Sequence, residues 1–163
     1  MTNRFIVSLL TAAFLAIGPA HAGSYRAGLA ALTRHDDLAA AAIIVPIAEA
    51  GDARAQALLG YMLANGRGVA QSYVEAAYWY RRASEQGNAT AQYMLGLMYD
   101  KGHGLPQDYV LAYKWLNLAV SRANGRDRQD WVKIRDAIAT KLSLQELTVA
   151  QRLASEWRPT PLH

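Results

Sequence analysis

Two short loops are the first places where chemistry could reside. Gly66-Arg67-Gly68 and Gly102-His103-Gly104 set a cation and an imidazole between glycines. Such loops cradle phosphates only when a strand precedes them and Gly-Lys-Ser/Thr or a dinucleotide fingerprint completes them. Neither condition is met, so both are expected to be turns. His35, His103 and His163 stand singly, with no second ligand at helical spacing, and the chain has no cysteine. No metal site is expected from that set. Asp36-Asp37 marks a helix start rather than an acid–base pair, because carboxylates suit the positive end of a helix. No serine stands in a Gly-x-Ser-x-Gly elbow. The residues therefore predict no catalytic group, no metal and no cofactor, and the chain is not expected to be an enzyme.

The 163 residues carry a net charge of +4 and are 52% apolar. Part of the apolar excess lies in the first two dozen residues. Asn3 and Arg4 precede an apolar run from Phe5 to Ile17, then Gly18-Pro19 and the small-residue pattern Ala20-His21-Ala22. This is the order of a secretory signal peptide. The run from Phe5 to Ala20 is short of the ~20 residues that span a bilayer. Residues 1–22 are expected to be removed, leaving no stable membrane anchor and a periplasmic or secreted chain from Gly23. Between Gly23 and Ser121 the charges balance, eight against eight; from Arg122 onward eight basic residues face five acidic ones, interleaved. Nucleic-acid binding needs a one-sign face, and none is visible, so no nucleic-acid partner is expected.

Positioning of any site falls to a 36-residue repeat. Shifting the chain by 36 aligns 53–88 with 89–124 without a gap, and 15 of the 36 positions are identical. Each unit predicts two helices. The first, from about Ala53 to Asn65, has Ala55, Leu59, Met62 and Leu63 on one face; the second, from about Ser72 to Gln86, has Ala76, Trp79 and Ala83. Gly60 and Gly96 stand inside the first helices, where glycine costs about 1 kcal/mol against alanine. They are expected to admit a close neighbour. Ser72 and Asp108 are expected N-caps. Ser24–Arg34 and Asp37–Ala50 predict a degenerate first pair, with Pro46 kinking or dividing its second helix. Asp127–Leu142 and Leu144–Trp157 predict a last pair, with a Ser143–Glu146 capping box between them. The expected organisation is one helical-repeat domain, 23–158. It comprises a degenerate pair (23–52), two repeats (53–88 and 89–124) and a capping pair (125–158), followed by a tail, 159–163. Trp79 and Trp115, at matching positions, are expected to do the same core work.

The series Ala55, Leu59, Gly60, Gly66, Gly68, Val69, Ala76, Trp79, Ala83 recurs as Ala91, Leu95, Gly96, Gly102, Gly104, Leu105, Ala112, Trp115, Ala119. It resembles the Sel-1-like repeat, a branch of the tetratricopeptide-type helical repeats, and is similar to secreted bacterial members. The resemblance implies an all-α fold, an α/α superhelical solenoid of about eight antiparallel helices. It also implies a non-enzymatic scaffold or adaptor that binds a protein or peptide partner in the cell envelope. Cysteine-rich relatives are described as hydrolases of β-lactams. Hydrolysis of β-lactam or cell-wall substrates is therefore the alternative, and the absence of cysteine counts against it. In such repeats the first helix lines the concave groove. The positions that vary between the two first helices are Ala57/Tyr93, Tyr61/Leu97 and Asn65/Lys101. Tyr61, Asn65, Tyr93 and Lys101 are accordingly the expected binding residues, tyrosine offering contact area at low entropic cost. The oligomeric state stays open.

Overall fold

The computed structural model describes residues 19–160. Residues 1–18 of the expected signal and residues 161–163, with His163, lie outside the described residues. Eight helices follow one another there, and no strand: α1 Pro19–Thr33, α2 Asp37–Glu49, α3 Ala53–Asn65, α4 Tyr73–Glu85, α5 Ala89–Lys101, α6 Tyr109–Arg122, α7 Gly125–Ala139 and α8 Leu144–Glu156. Each helix from α1 to α7 packs on its chain neighbour, which is the pattern of an α/α solenoid.

Local chemistry sets the helix starts. The Asp52 carboxylate accepts from the amides of Arg54 and Ala55, and Asn88 accepts from Ala91 in the next unit. Ser72 and Asp108 cap α4 and α6 by accepting from Glu75 and Leu111. Asp36 caps α2, and Ser143 with Glu146 forms the full capping box of α8. Each cap satisfies amide groups that the first helical turn leaves without a partner.

Several boundaries differ from the expectation. Helix α1 begins at Pro19 rather than Ser24, and a first-turn proline has no intrahelical donor to lose. Pro46 stands inside α2 without dividing it; the ladder resumes at once, with the Ala50 amide donating to the Pro46 carbonyl at 3.0 Å. Helix α6 stops at Arg122 with Ala123 extended, and α7 already begins at Gly125.

The repeat glycines mark where elements meet. A methyl group on Gly60 would lie 2.9 Å from the Tyr80 ring, and one on Gly96 would lie 2.7 Å from Leu116 Cγ. The close neighbour is thus a large side chain of the second helix in the same unit. Gly68 and Gly104 have φ of 71° and 73°, and a Cβ there would run into the carbonyls of Asp37 and Tyr73. Each loop therefore presses on the start of the preceding second helix, 36 residues apart in both cases. Two buried glutamines complete the register. Gln56 Nε2 donates to the Ala48 carbonyl and Gln92 Nε2 to the Ser84 carbonyl, both at 3.1 Å.

The C-terminal end is closed differently from the repeats. Helices α7 and α8 both pack on α6, and contact between the two is slight. Within α7 only Ile138 is buried, so this helix keeps a polar outer face. Trp157 meets Trp115 edge to face, and the Thr160 amide donates to the Glu85 carbonyl at 2.8 Å. The start of the expected tail is therefore tied to the end of α4. No helix among the described residues is long and apolar enough to cross a membrane.

Candidate functional site

The two glycine-flanked loops are spent on packing. The Arg67 guanidinium grips Asp37, with Nη2 2.5 Å from Oδ1 and Nε 3.2 Å from Oδ2, and also donates to the Leu32 carbonyl. One unit later His103 stacks on Tyr73, ring centroids 5.1 Å apart. Residues 67 and 103 are 36 apart, as are 37 and 73. One structural slot thus carries an ion pair in one repeat and an aromatic stack in the next. Among the described residues no group of three or more histidine, aspartate or glutamate side chains is placed to hold a metal ion.

The four expected groove residues divide. Tyr61 is exposed, at 39%. Asn65 is exposed too, but its amide turns back and donates to the Tyr61 carbonyl at 2.8 Å. Tyr93 is half-buried, stacked on Trp131 of α7 with centroids 4.7 Å apart and planes 11° from parallel. Burial, and then the nearby Asp130 carboxylate, raise its phenol above the ordinary tyrosine range. Lys101 is exposed and pairs with Asp100 at 3.1 Å. The structure therefore does not gather all four into one place. Tyr93 faces the C-terminal cap, while Lys101 borders a hollow at the other end of α5.

That hollow has a volume of about 230 Å³ and opens between α3 and α5, with α4 beneath. Ala64, Met94, Leu97 and Met98 give it apolar walls, and Lys101 and His103 stand at its margin. Tyr80 contributes a fully buried ring, and its hydroxyl has no hydrogen-bond partner among the described residues. Burial foremost, and the neighbouring Tyr61 phenol, push that hydroxyl far above the usual tyrosine range. An apolar cleft with a few polar groups at its edge is the usual form of a ligand site. Tyr80 and Met94 were absent from the sequence-based set. The repeat register held the signal at Met94, where the preceding unit has Leu58, whereas Tyr80 looks like an ordinary core position.

Lys101 also belongs to a small charge cluster. The buried Asp100 carboxylate takes Lys141 Nζ at 2.5 Å as well as Lys101, so one carboxylate faces two ammonium groups. Burial alone would raise its pKa, but the two lysines outweigh it and hold the carboxyl below the ordinary aspartate range. The cluster ties the end of α5 to the α7–α8 turn and leaves a net positive charge near the hollow.

Comparison with known proteins extends these observations. The Sel1 repeat model matches residues 53–88 and 89–124. A crystal structure described as a protective antigen of uropathogenic Escherichia coli strains with an SLR fold is similar at 28% identity, with a TM-score of 0.77. That match covers 84% of this chain but only 29% of the antigen, so the chain spans under a third of that protein's length. A Sel1 repeat protein from Oxalobacter formigenes is 36% identical with a TM-score of 0.58, over 68% of this chain and 89% of that one. No curated protein matches the chain.

Proposed function

Since the chain belongs to the Sel1 repeat family, whose repeats generally mediate protein–protein contacts, we propose that it is a non-catalytic scaffold that holds a peptide segment of an envelope protein across its first helices. The observation that carries this reading is the apolar hollow between α3 and α5. A side chain such as leucine or methionine would bury its surface among Met94, Leu97 and Met98, gaining about 25 cal/mol per Å² of apolar area. Lys101, with the surplus charge of its cluster, would attract a neighbouring carboxylate. The groove is built from stacked helices, so little backbone ordering is needed on association. Tyr61 extends the same face from α3.

Selection from a random peptide display library on the immobilised chain tests the proposal. The expected result is enrichment of peptides with a large apolar residue beside an acidic one. Leu97→Glu, folded by circular dichroism, is expected to weaken them at least about tenfold, because a carboxylate at the wall opposes apolar burial. Enriched peptides that bind this variant undiminished would overturn the groove.

We further propose that residues 1–22 form a cleaved secretion signal, supported by the order of their residue types. Cleavage after Ala22 would shorten α1, which starts at Pro19. N-terminal sequencing of protein recovered from the periplasm would start at Gly23; an intact Met1 would refute it.

A further inference from the structure

A second hollow, of about 280 Å³, shares no lining residue with the first and lies where the second helices α2 and α4 meet α3. Its lower wall is apolar, formed by Val45, Leu59, Leu63 and Val69. Trp79 supplies an indole that is only half-buried, and Glu49 and Glu75 border the opening. Among the described residues neither carboxylate makes an ion pair or side-chain hydrogen bond. Arg82, which does not line the hollow, is set against the indole from outside. Its guanidinium lies 5.7 Å from the Trp79 ring and donates to the Tyr78 hydroxyl at 3.0 Å.

The next repeat shows what this arrangement accepts. Adding 36 to the wall positions turns Val45 into Arg81, Leu63 into Tyr99, Glu49 into Glu85 and Trp79 into Trp115. There Arg81 reaches across and donates to the Tyr99 hydroxyl at 2.9 Å, spanning the space that lies between Val45 and Leu63 one unit earlier. The Trp115 ring carries the Lys114 ammonium 4.3 Å from its centroid. Burial lowers the pKa of that ammonium, with Glu85 acting against the shift. In the second repeat, then, the chain fills the place with its own arginine and sets a second cation on the tryptophan. In the first repeat Val45 is too short to fill the space and Tyr78 stands where Lys114 does, so the two glutamates keep their capacity and the indole carries only the more distant Arg82.

We propose that the hollow bounded by Val45, Glu49, Leu63, Glu75 and Trp79 is a receptor for an arginine side chain of a partner protein. The aliphatic stem fits the apolar wall, and the planar guanidinium suits both a tryptophan face and carboxylate oxygens. This site is independent of the groove between α3 and α5, so the chain would hold partners at two places.

The test uses N-acetyl-arginine amide and its neutral citrulline analogue, titrated into the full chain. The Trp79 indole N–H resonance, assigned with Trp79→Phe, is followed by NMR. Arginine amide is expected to shift it saturably, with citrulline amide leaving it in place. Glu49→Gln with Glu75→Gln is expected to weaken binding about tenfold or more. Raising salt from about 0.05 to 0.5 M is expected to weaken it too, since exposed charges are screened. The double substitution Val45→Arg with Leu63→Tyr copies the second repeat and is expected to abolish the shift by filling the hollow from within. An equal response to citrulline would overturn the proposal, as would undiminished binding by either double variant or no saturable shift at all.

Discussion

Single residues carry two opposite kinds of burial. Asp100 is buried with both lysines at hand, whereas Tyr80 is buried with its hydroxyl unpaired. Tyr80→Phe removes a group whose unmet hydrogen bond is costly, so thermal denaturation is expected to show equal or higher stability, by up to about 1 kcal/mol. Asp100→Asn should cost about 1.5–3 kcal/mol near neutral pH, the range for hydrogen bonds to charged groups. The pH dependence follows from the direction of its shift. A carboxyl held low in the folded state adds stability that is complete above the unfolded value of about 3.9 and lost as pH falls through the folded one. Melting curves of wild type and Asp100→Asn should therefore draw together as pH falls below the ordinary aspartate range and stand fully apart by about pH 5; a constant gap would argue against the ion cluster. Gln56 and Gln92 show how one changed residue matters. Gln86 Nε2 donates to Gln56 Oε1 at 2.7 Å, but Arg122, in the place of Gln86, lies over Trp157 instead. Gln92 Oε1 is left without a partner among the described residues. Both glutamines repeat in sequence, yet only the folded chain shows that their second bonds differ.

At the scale of helices, the glycine positions set two costs against each other. Gly96→Ala gains helix propensity worth about 1 kcal/mol. It also places a methyl group 2.7 Å from Leu116 Cγ and 3.1 Å from the Ala112 carbonyl. Overpacking of that kind costs typically about 1–3 kcal/mol, and the backbone oxygen cannot swing away. Net destabilisation is expected by urea denaturation, with partial recovery when Leu116→Ala is added. At the other end, Ser143→Ala removes the hydroxyl that accepts from the Glu146 amide, while the residue-143 amide can still donate to the Glu146 carboxylate, and should cost about 1 kcal/mol. These elements were legible beforehand. Caps, helix stops and the 3.6-residue face are encoded within a few positions of one another, so α3 to α6 match the expected spans closely. The arrangement of α7 and α8 was not legible, because nothing local says that both must lie on α6. Nor did equivalence of position guarantee equivalence of role: Trp115 is buried under Trp157, while Trp79 lines an open hollow.

For the molecule as a whole, a solenoid holds together through neighbouring contacts alone. Truncation after Leu142 removes α8 and the segment to Thr160, uncovering Trp115 and releasing the end of α4 from the Thr160 amide. Hydrogen exchange is expected to quicken throughout α6 and α7 while α2 and α3 keep their protection, since local stability falls with local contacts. A uniform loss along the array would instead indicate one all-or-none unit. The same linear build leaves two hollows with no lining residue in common.

Local pattern was enough to determine the helices, their caps, the 36-residue unit and the family. Each of these depends on residues close in the chain or on exact recurrence. The tertiary structure decided where binding could occur. Of the four expected groove residues, Tyr93 is engaged by Trp131 from a helix nearly forty positions away, while Lys101 borders a hollow floored by Tyr80 from the preceding unit. A hollow is the space left between side chains of different elements. Its size depends on how far each reaches, as Val45 and Arg81 show at one repeat position, and no single stretch of sequence contains that sum.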